Sequence, residues 1–138
     1  MARDAMCNLT GMKIVLPHSP SAAACRVSAI ALTLCLFVLG SFPEAGRAFP
    51  GIAHWIVHFS VYAAVAVAYG LGWRERSVLL IGGCVVALGV IHEYSEIYTH
   101  KHALEIADIV VNSFGGGAGM ALARALVTLR TSEKLRRN

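Results

Sequence analysis

Charge is scarce in this 138-residue chain: Asp, Glu, Lys and Arg together make up 14% of it, well under the quarter or so usual in a soluble domain. With 57% hydrophobic residues beside so little charge, one small core cannot hide the apolar side chains, which excludes a soluble monomer and a disordered chain. Cysteine is equally sparse. Cys7, Cys25, Cys35 and Cys84 form no CxxC pair and sit mostly in apolar sequence, so neither a disulfide scaffold nor a zinc knuckle is indicated. The length allows one compact domain.

What is there is four apolar runs, each near the 20 residues needed to cross a bilayer as a helix. Residues 1–26 form a mildly basic approach with Pro17 and Pro20, read as a cytoplasmic tail. The first run, Val27 to Phe42, ends at Pro43; the others extend from Gly51 to Trp73, Ser77 to Tyr98, and Ile106 to Leu129. Residues 27–129 are thus predicted to be an all-α, compact bundle of four transmembrane helices, followed by a basic tail over 130–138. The small residues from Ala45 to Ala48 would tolerate signal cleavage, but the stretch ahead of the first run is longer than a simple signal peptide requires.

Basic residues are distributed unevenly between the two sides. Arg3, Lys13, Arg26, Arg74, Arg76, Arg130, Lys134, Arg136 and Arg137 fall on one side and only Arg47 and Lys101 on the other, with Arg124 inside the last run near its basic end. The positive-inside rule then predicts both termini in the cytoplasm of a bacterial inner membrane. The net charge of +4 is therefore a topology signal, and no nucleic-acid partner is expected. Arg124 is close enough to the boundary to snorkel.

Ionisable residues inside a membrane are expensive and carry a functional hypothesis by default. Here they gather at one depth. His54, His58 and Tyr62 recur at i, i+4, i+8 on one face of the second span; Glu93 and Glu96 close the third; Glu105, Asp108 and Asn112 open the fourth; Lys101 and His102 lie in the loop between. These stripes are expected to face one another, so that His54, His58, Tyr62, Glu93, Glu96, His102, Asp108 and Asn112 line a polar pocket opening outward. Gly115 and Gly119 form a GxxxG spacing suited to close helix packing; Gly82 and Gly83 are one surface that can accept it, and the sequence does not assign the partner. The run Gly115–Gly119 is no phosphate loop, having neither a preceding strand nor a following Lys-Ser/Thr.

In this order and spacing, His58-Phe59-x-x-Tyr62, Glu93 and Asp108-x-x-x-Asn112-x-x-Gly115 with Gly119 resemble the motifs of the VanZ-like family of small membrane proteins, over about residues 54 to 119. The chain departs from that pattern at His54-Trp55, where the family has Asp-Lys; at His92, where it has Asp; at Glu96, where it has Gln; and at His102, where it has Arg, with Lys101 adjacent. The resemblance implies a multi-pass membrane protein of the cell envelope, in a family associated with glycopeptide (teicoplanin) resistance.

Three uses of the polar layer stand side by side. It can recognise a membrane lipid or cell-wall precursor, a cation meeting its anionic part while Glu93 and Asp108 orient donors; this is the leading expectation. It can perform acid/base or metal-dependent chemistry on a lipid-linked substrate. Or it can lock helices in an accessory subunit, alone as a homo-oligomer or beside another membrane protein. His54, His58, Glu93, Glu96, His102 and Asp108 offer enough donors for a divalent ion, but His92 to Glu96, HEYSE, lacks the second histidine of HExxH. An ion-pair network is expected ahead of a metal, and no cofactor is assigned. Transport is disfavoured, since no inverted repeat is visible.

Overall fold

The computed structural model describes residues 21–101 and 103–137, and over these the chain is entirely helical, without strands. Four helices are long and apolar enough to cross a membrane: α1, Ala22–Gly40; α3, Ile52–Gly72; α4, Val78–His100; and α5, Ile106–Arg137. A five-residue helix, α2, Pro43–Arg47, sits between the first two. This is the predicted four-helix membrane bundle, with bounds displaced by capping chemistry.

The displacement at α1 has a local cause at each end. Ser21 accepts a hydrogen bond from the Ala24 amide, so the helix starts five residues ahead of Val27. It ends at Gly40 because Pro43 has no amide proton to continue it and instead occupies the first turn of α2. Ser77 caps α4 in the same manner through the Leu80 amide, and Lys101 ends that helix in the left-handed region at φ 57°. Gly51, ahead of α3, has φ 63°, a conformation that glycine adopts without a Cβ penalty. The fourth span was predicted to stop at Leu129, yet α5 continues through the basic residues to Arg137. Its 32 residues make a rod of about 48 Å at 1.5 Å per residue, longer than a hydrocarbon core of about 30 Å. Residues 130–137 therefore continue the helix past the apolar zone.

Neighbouring contacts define the topology. Residues along α3 meet residues along α5 in the same order, His54 with Asp108, His58 with Asn112 and Gly70 with Ala123, so these two helices run parallel and in close register. α4 runs against both, with Val85 opposite Gly116 and Gly89 opposite Tyr62 and Asn112. α1 runs against α3, bringing Arg26 to Gly72. The tightest seam is α3 with α5: a Cβ on Gly115 would collide with the Phe59 carbonyl, and one on Gly119 with the Ala63 carbonyl. In lipid, helices associate by such close backbone packing rather than by expulsion of apolar groups from water. The receiving surface is therefore α3. Gly82 and Gly83 have nothing within 4 Å of where a Cβ would stand, because the α4 face that carries them points away from the bundle.

A small core of Tyr62, Ala66, Ile81, Val85 and Met120 fills the centre. Outside it the polarity is that of a membrane protein. Leu79, Phe114 and Ile52 are 88%, 70% and 74% exposed, while His92, Glu93, Asp108 and Asn112 are buried; lipid as the solvent requires that inversion.

Candidate functional site

The end of the bundle where α3 and α5 begin and α4 ends holds nearly all of its buried ionisable groups. Helical periodicity sets the starting geometry. His54 and His58, four residues apart on α3, present their rings side by side with centroids 4.3 Å apart. Opposite them the first turns of α5 supply Asp108 and Asn112, and the last turns of α4 supply His92, Glu93 and Glu96.

Two hydrogen-bonded units result. In the first, His54 Nε2 donates to Asp108 Oδ2 at 2.9 Å, the carboxylate being 2% exposed and the imidazole about a quarter exposed. In the second, Asn112 stands between helices: its Oδ1 accepts from His58 Nδ1 at 3.0 Å and its Nδ2 donates to Glu93 Oε1 at 3.2 Å. With the amide nitrogen on Glu93 and the amide oxygen on His58, the His58 ring nitrogen that donates is Nδ1.

His92 completes the cluster differently. Its side chain is 3% exposed, with Nδ1 3.9 Å from Glu93 Oε1 and Nε2 3.6 Å from Glu96 Oε1. Both separations are beyond a hydrogen bond, and neither ring nitrogen has a hydrogen-bond partner. The ring is held by packing: the Phe37 edge meets it at 5.4 Å and 88°, and the Tyr62 and His58 rings lie within 6.4 Å. Tyr62 OH, Glu93 Oε2 and Asp108 Oδ1 are also buried without hydrogen-bond partners. Leaving such groups unmet costs about 1–3 kcal/mol each, and native proteins keep few of them.

These side chains line a cavity of about 490 Å³. His54, His58, Tyr62, His92, Glu96 and Asp108 supply its polar lining, while Leu36, Leu39, Pro43 and Phe49, from α1 and the segment after it, supply apolar lining. Glu93 and Asn112 stand behind the polar lining, buried to 1% and 2% exposure. Of the residues predicted from sequence, seven thus fall on or directly behind one surface. His102 lies outside the described residues. Glu105, expected on the same stripe, is exposed at the rim and also borders the cavity.

Some participants were not assigned from sequence. His92 had only its i, i+4 relation to Glu96 as a signal, and His100, also on the cavity wall, follows from the same helical period. The contribution of α1 had no signal at all, because its cavity-facing residues are as apolar as its lipid-facing ones.

Arg124, expected to snorkel, instead donates from Nη1 to the Arg74 carbonyl at 3.2 Å and from Nη2 to the Arg76 carbonyl at 2.7 Å. The α3–α4 turn leaves those carbonyls free, so the guanidinium finds acceptors without reaching for headgroups. No protein-family model, curated protein or solved structure matches the chain, and the fold and the site stand on the geometry alone.

Proposed function

We propose that this chain is a membrane-embedded enzyme that performs acid/base chemistry on a lipid-linked substrate of the cell envelope. One observation carries the reading: buried ionisable side chains with unmet hydrogen-bonding capacity converge on a cavity whose remaining lining is largely apolar. Such a cavity suits a molecule with a polar head and a hydrocarbon part. Asp108 accepts from His54 Nε2 and so orients the ring, leaving Nδ1 to accept a proton from a substrate hydroxyl. Tyr62, a buried donor without a partner, is placed to hydrogen-bond to charge that develops on the substrate.

The resemblance to VanZ-like proteins supports a role at the envelope and a second reading in which the same pocket binds a lipid headgroup or wall precursor without turning it over. Comparative lipid analysis separates the two. Membranes expressing the wild type should gain or lose a lipid-linked species that membranes with equal amounts of Asp108→Asn do not. Identical profiles, with a lipid retained by the purified wild type in native mass spectrometry, would replace catalysis by recognition. Identical profiles with no retained lipid would leave only the helix-locking role.

The orientation belongs to the same proposal. Arg26, Arg74, Arg76 and Arg124 gather at the end opposite the cavity, which supports a cytoplasmic basic end and a cavity at the outer face of an inner membrane. Alkaline phosphatase fused after residue 48 or 101 is expected to be active, and after residue 75 or 138 inactive. Activity after residue 75 would reverse the assignment.

A further inference from the structure

We propose that His92, Glu93 and Glu96 hold one divalent transition-metal ion at the floor of the cavity. Each offers a ligand atom, and these atoms lie within 4.8 Å of one another, all three residues being buried. A cluster of this composition is not in itself a metal site. The observation that points to a ligand is His92, whose two ring nitrogens are buried, without hydrogen-bond partners, on the wall of the cavity.

Distance distinguishes this cluster from the one beside it. Zinc binds imidazole nitrogen at about 2.0–2.1 Å and carboxylate oxygen at about 2.0–2.2 Å, so two such donors on one tetrahedral ion stand about 3.4 Å apart. His92 Nε2 and Glu96 Oε1 are 3.6 Å apart, too far to share a proton and close to the edge of a coordination tetrahedron. His54 and Asp108, at 2.9 Å, already share a proton. Of the two His/carboxylate groups, the first has the spacing of donors around a shared ion and the second that of a hydrogen bond.

Room and orientation are also provided. A Cβ on Gly40 would overlap His92 Nε2 and stand 3.2 Å from Glu96 Oε1, so only a glycine lets α1 pack this closely against both donors without a side chain pushing them apart. Gly40 does not adopt a positive φ, and no backbone demand explains the glycine. Behind the site, Asn112 donates to Glu93 Oε1 and leaves Oε2 without a partner, the kind of outer-shell contact that aims a ligating carboxylate. His92 and Glu96 border the cavity while Glu93 lies behind them, which leaves the open coordination positions facing the cavity. A mixed nitrogen and oxygen donor set favours zinc or manganese over magnesium. The ion site stands independently of turnover; its use as a Lewis acid toward a substrate oxygen rests on the enzymatic reading above.

The test uses the full chain in detergent, stripped with chelator and titrated with ZnCl₂ and with MnCl₂ by calorimetry and by thermal unfolding. The wild type should bind one ion per chain and unfold at higher temperature with it. Glu96→Gln, which removes a ligand charge at constant size, should weaken binding by more than about 100-fold, beyond what outer-shell changes cause. Gly40→Ala should weaken it while leaving every ligand in place, and Asp108→Asn should leave it unchanged. No saturable binding by the wild type overturns the proposal. So does binding that survives Glu96→Gln and Gly40→Ala but is lost in Asp108→Asn, which would put the ion on the His54 group. Lipid turnover that persists after chelation removes the ion's Lewis-acid role and keeps the enzyme; a bound ion with identical lipid profiles keeps the metal and removes the enzyme.

Discussion

The two ends of this bundle treat their polar side chains in opposite ways. At the basic end, Arg26 donates to the Gly72 carbonyl at 2.8 Å and to Glu75 at 2.7 Å while lying over the Trp73 ring, and Arg124 spends both terminal nitrogens on the carbonyls of Arg74 and Arg76. Cations there meet acceptors that a helix terminus leaves free in any case, and the result is a closed turn in which Arg124 Nε is left without a partner. At the other end, histidines, carboxylates and a phenol crowd around a cavity with several buried atoms unmatched. Satisfied polarity stabilises a fold. Polarity kept unsatisfied at a cost is better explained by something that enters and satisfies it.

Five variants test that contrast in four comparisons, from the largest expected effect to the smallest. Gly115→Leu serves as the reference for pure packing damage, since its side chain would be driven into the Phe59 carbonyl, which cannot rotate away. It should cost about 3 kcal/mol or more and scatter the cavity residues with it. Gly82→Ala, which has open space, should stay within about 1 kcal/mol of the wild type. Thermal unfolding in a lipid-like detergent reads both, and equal damage from the two would refute the α3–α5 seam.

Arg124→Leu probes the closed end alone. Leaving the Arg74 and Arg76 carbonyls without their donor should cost about 2 kcal/mol, and metal binding and lipid turnover per folded molecule should not change. Loss of turnover in a folded Arg124→Leu protein would mean that the ends are coupled.

Asp108→Asn probes the open end. An amide oxygen can still accept from His54 Nε2, so stability should change by about 1 kcal/mol or less, while turnover is lost with the carboxylate charge. If this variant unfolds as badly as Gly115→Leu, the polar cluster is a structural lock.

The smallest effect belongs to the exposed Arg26–Glu75 pair. The Glu75 carboxyl is held below its ordinary value of 4.5, first by its own backbone N–H and then by the Arg26 and Arg76 guanidiniums. A depressed carboxylate contributes stability above its unfolded value and loses it as the pH falls through its folded one. The slight advantage of the wild type over Glu75→Gln should therefore hold steady from neutrality down to pH 4.5 and disappear only below it. An advantage that grows on acidification would show that Glu75 is not held by these cations.

The sequence by itself determined the four spans, because hydrocarbon admits only helices about 20 residues long with few charges. It also determined which end is basic and which carries the histidines and carboxylates, since depth along a membrane helix follows directly from residue number. Helical period placed His54 with His58 and His92 with Glu96 on the same grounds. Partner choice was another matter. That Gly115 and Gly119 seat on Phe59 and Ala63 rather than on Gly82 and Gly83 depended on how the helices rotate about their axes, and small residues on two helices look alike as receiving surfaces. Only the tertiary structure brought α1 across the cavity, set Gly40 over His92, gave His54 a proton-sharing partner, and left His92 3.6 Å from Glu96. The chemistry turns on separations of a few tenths of an ångström between side chains on different helices, and those are set by packing, which no single helix encodes.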